Sequence, residues 1–140
     1  MDTASAFDVW NQGDPYERYV GRWSRLVAQP FLDWLSMPRS LGWLDVGCGT
    51  GALTSAILGA AEPREVFAVE PSEGFLSIAR RRLQDKATLL SGNATRIPLP
   101  DSSVDVVVSG LVLNFVPNLA DALAEMQRVA RPEGTIAAYV

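Results

Sequence analysis

The eight residues Leu44-Asp45-Val46-Gly47-Cys48-Gly49-Thr50-Gly51 constrain this chain more than any other stretch. A short apolar run carrying one acid breaks into three glycines on alternate positions, and a second apolar run with helical character follows. Strand, glycine turn and helix in that order are how a parallel sheet makes room for a nucleotide-like ligand. Glycine admits positive φ and removes the side chain that would block close approach. The helix behind it aims unpaired N–H groups and the positive end of its dipole at the same place. Two large enzyme groups use this arrangement, so the turn alone leaves the ligand open.

The rest of the pattern alternates strands with helices. Asp14-Pro15 starts a predicted helix, with the residues before it (1–14) expected to be a flexible N-terminus and 15–140 the domain. Ser24 is the expected N-cap of a second helix, with Leu26, Val27, Phe31, Trp34 and Leu35 at helical spacing and Pro30 placed to kink or divide it. A strand is predicted from Trp43 to Val46, a helix from the glycines to about Leu58 closed by Gly59, and a strand from Arg64 to Val69 ending in Glu70-Pro71. Ser72 caps a predicted helix whose Phe75, Leu76, Ala79 and Leu83 share one face, and Ala87 to Leu90 reads as the next strand. Val104-Asp105-Val106-Val107-Val108 has the near-continuous β-branched character of a strand covered on both faces. Asn118 caps a helix bearing Leu119, Leu123, Met126 and Val129; Arg131-Pro132 ends it, and Gly134 to Val140 forms a fifth strand. The expected fold is α/β: a doubly wound, Rossmann-like parallel sheet in three α/β/α layers.

Composition narrows the chemistry. A chain of 140 residues, 48% apolar, fits one domain with a proper core. Its net charge of −4 argues against a nucleic-acid partner, and Arg80-Arg81-Arg82 falls in the last turns of a predicted helix, where cations suit the dipole. There is no histidine, which removes the commonest general base, the Ser-His-Asp triad and every His-containing metal site; no metal is expected. The single cysteine, Cys48, excludes an internal disulfide and reads as a small residue filling a tight turn. No apolar run reaches the ~18 residues of a membrane span and no signal peptide is evident, so a cytoplasmic protein without a membrane partner is expected. The last strand stops without a helix behind it. That predicts a piece of a longer protein and self-association through an exposed fifth strand.

Glu70 lies where a doubly wound fold places a carboxylate against the vicinal hydroxyls of a ribose. Gly47, Gly49 and Ala52 by themselves satisfy the loose dinucleotide fingerprint as well. Taken with its neighbours, however, the stretch 44–51 resembles the first motif of the class I S-adenosylmethionine-dependent methyltransferases, particularly the small-molecule group. The resemblance implies S-adenosylmethionine as cofactor. Asp45, Gly47, Gly49 and Gly51 would surround its amino-acid part, and Glu70 with Pro71 its ribose. Gly92-Asn93-Ala94 and Leu99 to Asp105 resemble the family's adenine-side motif, with Asn93 where aspartate is usual, keeping an acceptor without the charge. Ser109-Gly110-Leu111 would lie where the cofactor passes the sheet. Arg131-Pro132-Glu133-Gly134 resembles a structural Arg-Pro-Gly-Gly turn in which Glu133, replacing a glycine, is expected to matter little. Upstream, Tyr16 to Trp23 resembles the family's N-terminal cap, implying that Tyr19 and Arg22 close over the cofactor carboxylate. The family's sheet continues with a C-terminal strand pair that is lacking here.

Methyl transfer to a small-molecule acceptor fits a chain without histidine, because positioning next to an activated methyl group supplies much of the catalysis. No catalytic residue is named by the sequence; Asn114 and Phe115, just past the fourth strand, lie where an acceptor would approach. An NAD(P)-dependent oxidoreductase and a non-catalytic S-adenosylmethionine-binding fragment remain alternatives at this stage.

Overall fold

A computed structural model describes residues 21–140. The expectations for residues 1–20, including the helix begun at Asp14-Pro15 and the role of Tyr19, lie outside the described residues. The elements run α1 (Arg22–Leu35), β1 (Gly42–Val46), α2 (Ala52–Ala60), β2 (Glu65–Glu70), α3 (Glu73–Leu83), β3 (Thr88–Ser91), β4 (Val104–Gly110), α4 (Leu119–Val129) and β5 (Ala130–Tyr139). All strand pairs are parallel, in the order β3-β2-β1-β4-β5. The chain winds outward from β1 to β3, then crosses back to β4 on the other side of β1. The C-terminal ends of β1 and β4 therefore form the switch point at which such sheets open a ligand crevice.

The central strands are buried because both faces are covered. Trp43, Val106 and Val108 pack with Ala28, Phe31 and Leu32 of α1 and Leu53 and Ile57 of α2. Leu44, Val46 and Val107 pack with Met126 and Val129 of α4, and Ala68 packs with Leu76 of α3. The expected three-layer α/β/α fold is the one observed. Ser72 caps α3 by accepting from the Phe75 N–H at 3.2 Å, and Phe75, Leu76, Ala79 and Leu83 form its buried face, as the sequence predicts. Asn118 caps α4 through the Asp121 N–H.

Several local expectations are corrected. Ser24 is a buried residue inside α1, which starts beyond Gly21, and α1 runs on past Pro30. Its buried face is Ser24, Ala28, Phe31 and Leu32, whereas Leu26 and Trp34 are 60% and 74% exposed. Gly59 does not close α2; the helix includes Ala60, and the Ala61 N–H reaches Ile57 O. β5 starts at Ala130, directly after α4, with Arg131 to Gly134 bulging out between the pairs Val104–Ala130 and Val106–Thr135. Glu133 holds that bulge at φ +68°, a left-handed backbone that favours glycine, so its replacement of a glycine carries strain.

Candidate cofactor site

The end of β1 turns at Gly47, Gly49 and Gly51, with φ of +74°, +56° and +94°. The turn satisfies most of its own donors. Gly47 and Cys48 both donate to Val69 O, at 2.8 and 3.0 Å, and Gly51 donates to Cys48 O at 2.9 Å. Gly49 donates to Glu70 Oε1 at 3.0 Å, while Glu70 Oε2 accepts from the Ser72 N–H at 2.8 Å. Glu70 thus ties the glycine turn to the start of α3. Each of its oxygens retains acceptor capacity, because a carboxylate offers about four lone-pair positions and two are used.

Asp45 lies beneath the turn, 1% exposed. Its Oδ2 accepts from Thr54 Oγ1 at 2.7 Å, and the Thr54 backbone N–H also donates to it. Gly51, at the N-cap position of α2, has no side chain to offer, and Asp45 supplies the missing negative charge from the neighbouring strand. Burial pushes its carboxyl up to about 7, opposed by the Thr54 bonds and reinforced by the nearby Glu70 charge. Burial also raises the Glu70 carboxyl, against the two backbone N–H bonds that favour its charged form. The Cys48 thiol is pushed up by burial and then by both carboxylates, so it remains a neutral turn-filling group. On the rim, Arg82 Nη1 reaches Thr50 Oγ1 at 3.4 Å.

The other candidates divide. Gly92 N donates to Glu70 O at 3.3 Å, which brings the Gly92-Asn93-Ala94 turn beside the end of β2. Asn93 Oδ1 accepts from the Thr95 N–H at 2.9 Å and from the Thr95 hydroxyl. Its acceptor atom is thereby committed, leaving the amide N–H₂ as the group it can present outward. Ser109 is fully buried and donates its hydroxyl to Val46 O at 2.9 Å, bracing β4 against β1 at the switch point. Pro71 is exposed just past Glu70. Arg22 is exposed at the start of α1, and no hydrogen bond or ion pair joins it to the glycine turn among the described residues. Asn114 and Phe115 occupy a single 3₁₀ turn, Leu113–Phe115, with Phe115 65% exposed.

Thr54 and Val112 are not singled out in the sequence, yet each shapes the site. Thr54 left one signal, a hydroxyl that it shares with Ser55 alone in an otherwise apolar helix. Val112 left none: its isopropyl group covers Gly47 so closely that a Cβ there would lie 2.6 Å from Val112 Cγ1.

Residues 44–138 match the family model described as a methyltransferase domain. The chain belongs to that family. This methyltransferase domain is 37% identical over 105 residues to demethylmenaquinone methyltransferase of Bacillus licheniformis, a match covering 73% of this chain and 45% of the relative. It is 39% identical over 93 residues to malonyl-[acyl-carrier protein] O-methyltransferase of Serratia marcescens, covering 66% of this chain and 35% of the relative. The chain therefore spans less than half the length of these curated relatives. Its fold is that of a SAM-dependent methyltransferase of Aquifex aeolicus, with a TM-score of 0.70 and 20% identity over 94% of this chain and 69% of that one.

Proposed function

We propose that this methyltransferase domain binds S-adenosylmethionine at the glycine turn and serves transfer of its methyl group to a small-molecule acceptor. The observation that carries this reading is the internal bonding of the turn. A dinucleotide site presents its glycine-loop N–H groups to a pyrophosphate. Here the N–H groups of Gly47, Cys48, Gly49 and Gly51 are all spent on protein oxygens. Two carboxylates, Asp45 and Glu70, lie directly behind them, an arrangement that repels phosphate and suits a ligand bearing cationic groups.

When bound, S-adenosylmethionine supplies a methyl group already activated by its sulfonium. The chain's own residues bind and orient. The remaining lone pairs of Glu70 accept from the ribose hydroxyls, Pro71 flanks them, and Asn93 with Ala94 borders the adenine, Asn93 offering it an N–H. Gly47, Gly49 and Gly51 let the backbone approach the amino-acid part, Asp45 sets the charge beneath it, and Ser109 fixes the crevice width. Tyr19 and Arg22 are assigned to the carboxylate. The named relatives use different acceptors, a demethylmenaquinone and a carrier-bound malonyl group, so the acceptor class stays at a small molecule or small-molecule moiety.

A thermal-unfolding comparison tests the cofactor. At about 100 times its Kd, S-adenosylhomocysteine adds ~2.7 kcal/mol of stability, seen as a rise in Tm, while NAD leaves Tm unchanged. A rise with NAD and none with S-adenosylhomocysteine would establish the dinucleotide reading instead.

A further inference from the structure

The segment after β4 is anchored behind and free in front. Behind, Ser109 is bonded to Val46 O, Gly110 lies against the Tyr139 ring, and the Leu111 N–H donates to Tyr139 O at 2.8 Å. In front, Phe115 is 65% exposed and Asn114 is exposed. Between them Leu111 holds a left-handed φ of +58°, a conformation that a branched residue adopts at a cost. The next residue is Val112, whose two methyl groups would lie 2.6 and 2.8 Å from a Cβ on Gly47. Val112 O then accepts from the Phe115 N–H at 2.8 Å, so the 3₁₀ turn moves with Val112.

These contacts make a continuous path from the glycine turn, through the Val112 side chain, to Phe115. A β-branched side chain has few rotamers to escape into. A shift of Gly47 therefore displaces the Val112 backbone, and Leu111 is the residue placed to absorb the change in φ and ψ. We propose that Val112 is a positioning residue that couples occupancy of the glycine turn to the placement of Phe115 on the acceptor side of the crevice. The coupling rests on the cofactor reading above. It makes cofactor binding set the wall against which an apolar acceptor group packs.

Fluorine NMR on the whole chain labelled with para-fluorophenylalanine tests this. The five phenylalanines give resolvable reporters, and the Phe115 resonance is assigned by Phe115→Leu. Saturation with S-adenosylhomocysteine, judged from the thermal shift of each variant, moves the Phe115 resonance in the parent protein. In Val112→Ala that movement falls by at least about threefold at saturation. Val112→Thr, which keeps the branched shape, restores it. Val112→Leu, which moves the branch off Cβ and away from Gly47, reduces it independently and serves if Val112→Ala does not fold. A Phe115 resonance that stays in place in the parent at saturation, or moves as far in Val112→Ala, overturns the coupling while leaving the cofactor reading intact. Absence of any thermal shift with S-adenosylhomocysteine overturns the cofactor reading and the coupling with it.

Discussion

Asp45 shows what a buried carboxylate costs and what it supplies. Its proton leaves near the ordinary aspartate value in the unfolded chain but only at about 7 in the folded one. Across that window the folded protein binds the extra proton, so stability falls as pH rises from about 4 to about 7. The loss is on the order of a few kcal/mol. Urea unfolding at about pH 5.5 and about pH 8 should show the parent less stable at the higher value. Asp45→Asn keeps an acceptor for Thr54 and should lose most of that difference; the raised Glu70 carboxyl leaves a smaller dependence of the same sign. Equal parent stability at both pH values would contradict the assignment. A cationic ligand over the turn favours the ionised carboxylate, which recovers part of the cost on binding. The sequence displayed Asp45, the three glycines and Glu70 plainly, since local backbone demand and residue type point to them. It could not display that Glu70 bonds Gly49 and Ser72, or that Asn93 spends its acceptor on Thr95, because these depend on where side chains meet after folding.

Among the elements, the loop between β3 and β4 is held by two side chains of α4, Arg128 and Glu125. Arg128 donates Nε and Nη2 to the two oxygens of Glu125, at 2.7 and 2.9 Å. It also donates to Leu99 O at 2.8 Å, to Ile97 O at 2.9 Å and to Asp101 Oδ1 at 2.9 Å. Glu125 Oε2 accepts from the Ile97 N–H in return. Arg128→Met strips donors from two carbonyls and leaves the half-buried Glu125 carboxylate without its guanidinium partner. It should cost about 1–3 kcal/mol and speed amide exchange in residues 92–103; exchange unchanged there would show that the loop is held otherwise. The bulge at the start of β5 gives the opposite sign. Glu133→Gly removes the left-handed strain and should stabilise by about 0.5–1 kcal/mol in chemical denaturation. Neighbouring Gly134 tolerates nothing larger, since a Cβ there would lie 2.8 Å from the carbonyl oxygens of Arg131 and Asp105. α1 shows how far periodicity reaches. Two stripes of its sequence have helical spacing, Ser24-Ala28-Phe31-Leu32 and Trp23-Leu26-Trp34, and the larger side chains lie on the exposed one. Packing against α2 and the sheet selects the smaller residues, because α1 approaches closely where Ser24 and Ala28 leave room.

At the scale of the molecule, the sheet order puts the glycine turn, Ser109 and Val112 at one crevice and leaves β5 at an edge. Beyond its pairing with β4, the outer backbone of β5 has no strand beside it among the described residues, and Ile136 is 39% exposed. Unpaired backbone at such an edge is a template for a further strand. By itself the sequence determined the alternation of strands and helices, the glycine turn and the acid of β2, because each follows from backbone freedom, side-chain periodicity or residue chemistry within a short window. The tertiary structure alone decided which stripe of α1 is buried, that Asp45 caps α2, and that Val112 closes over Gly47. Val112 and Gly47 are far apart in the chain, and the crossover from β3 back to β4 brings them within reach; Asp45 and Thr54 are close in sequence, but only the folded glycine turn aims one at the other.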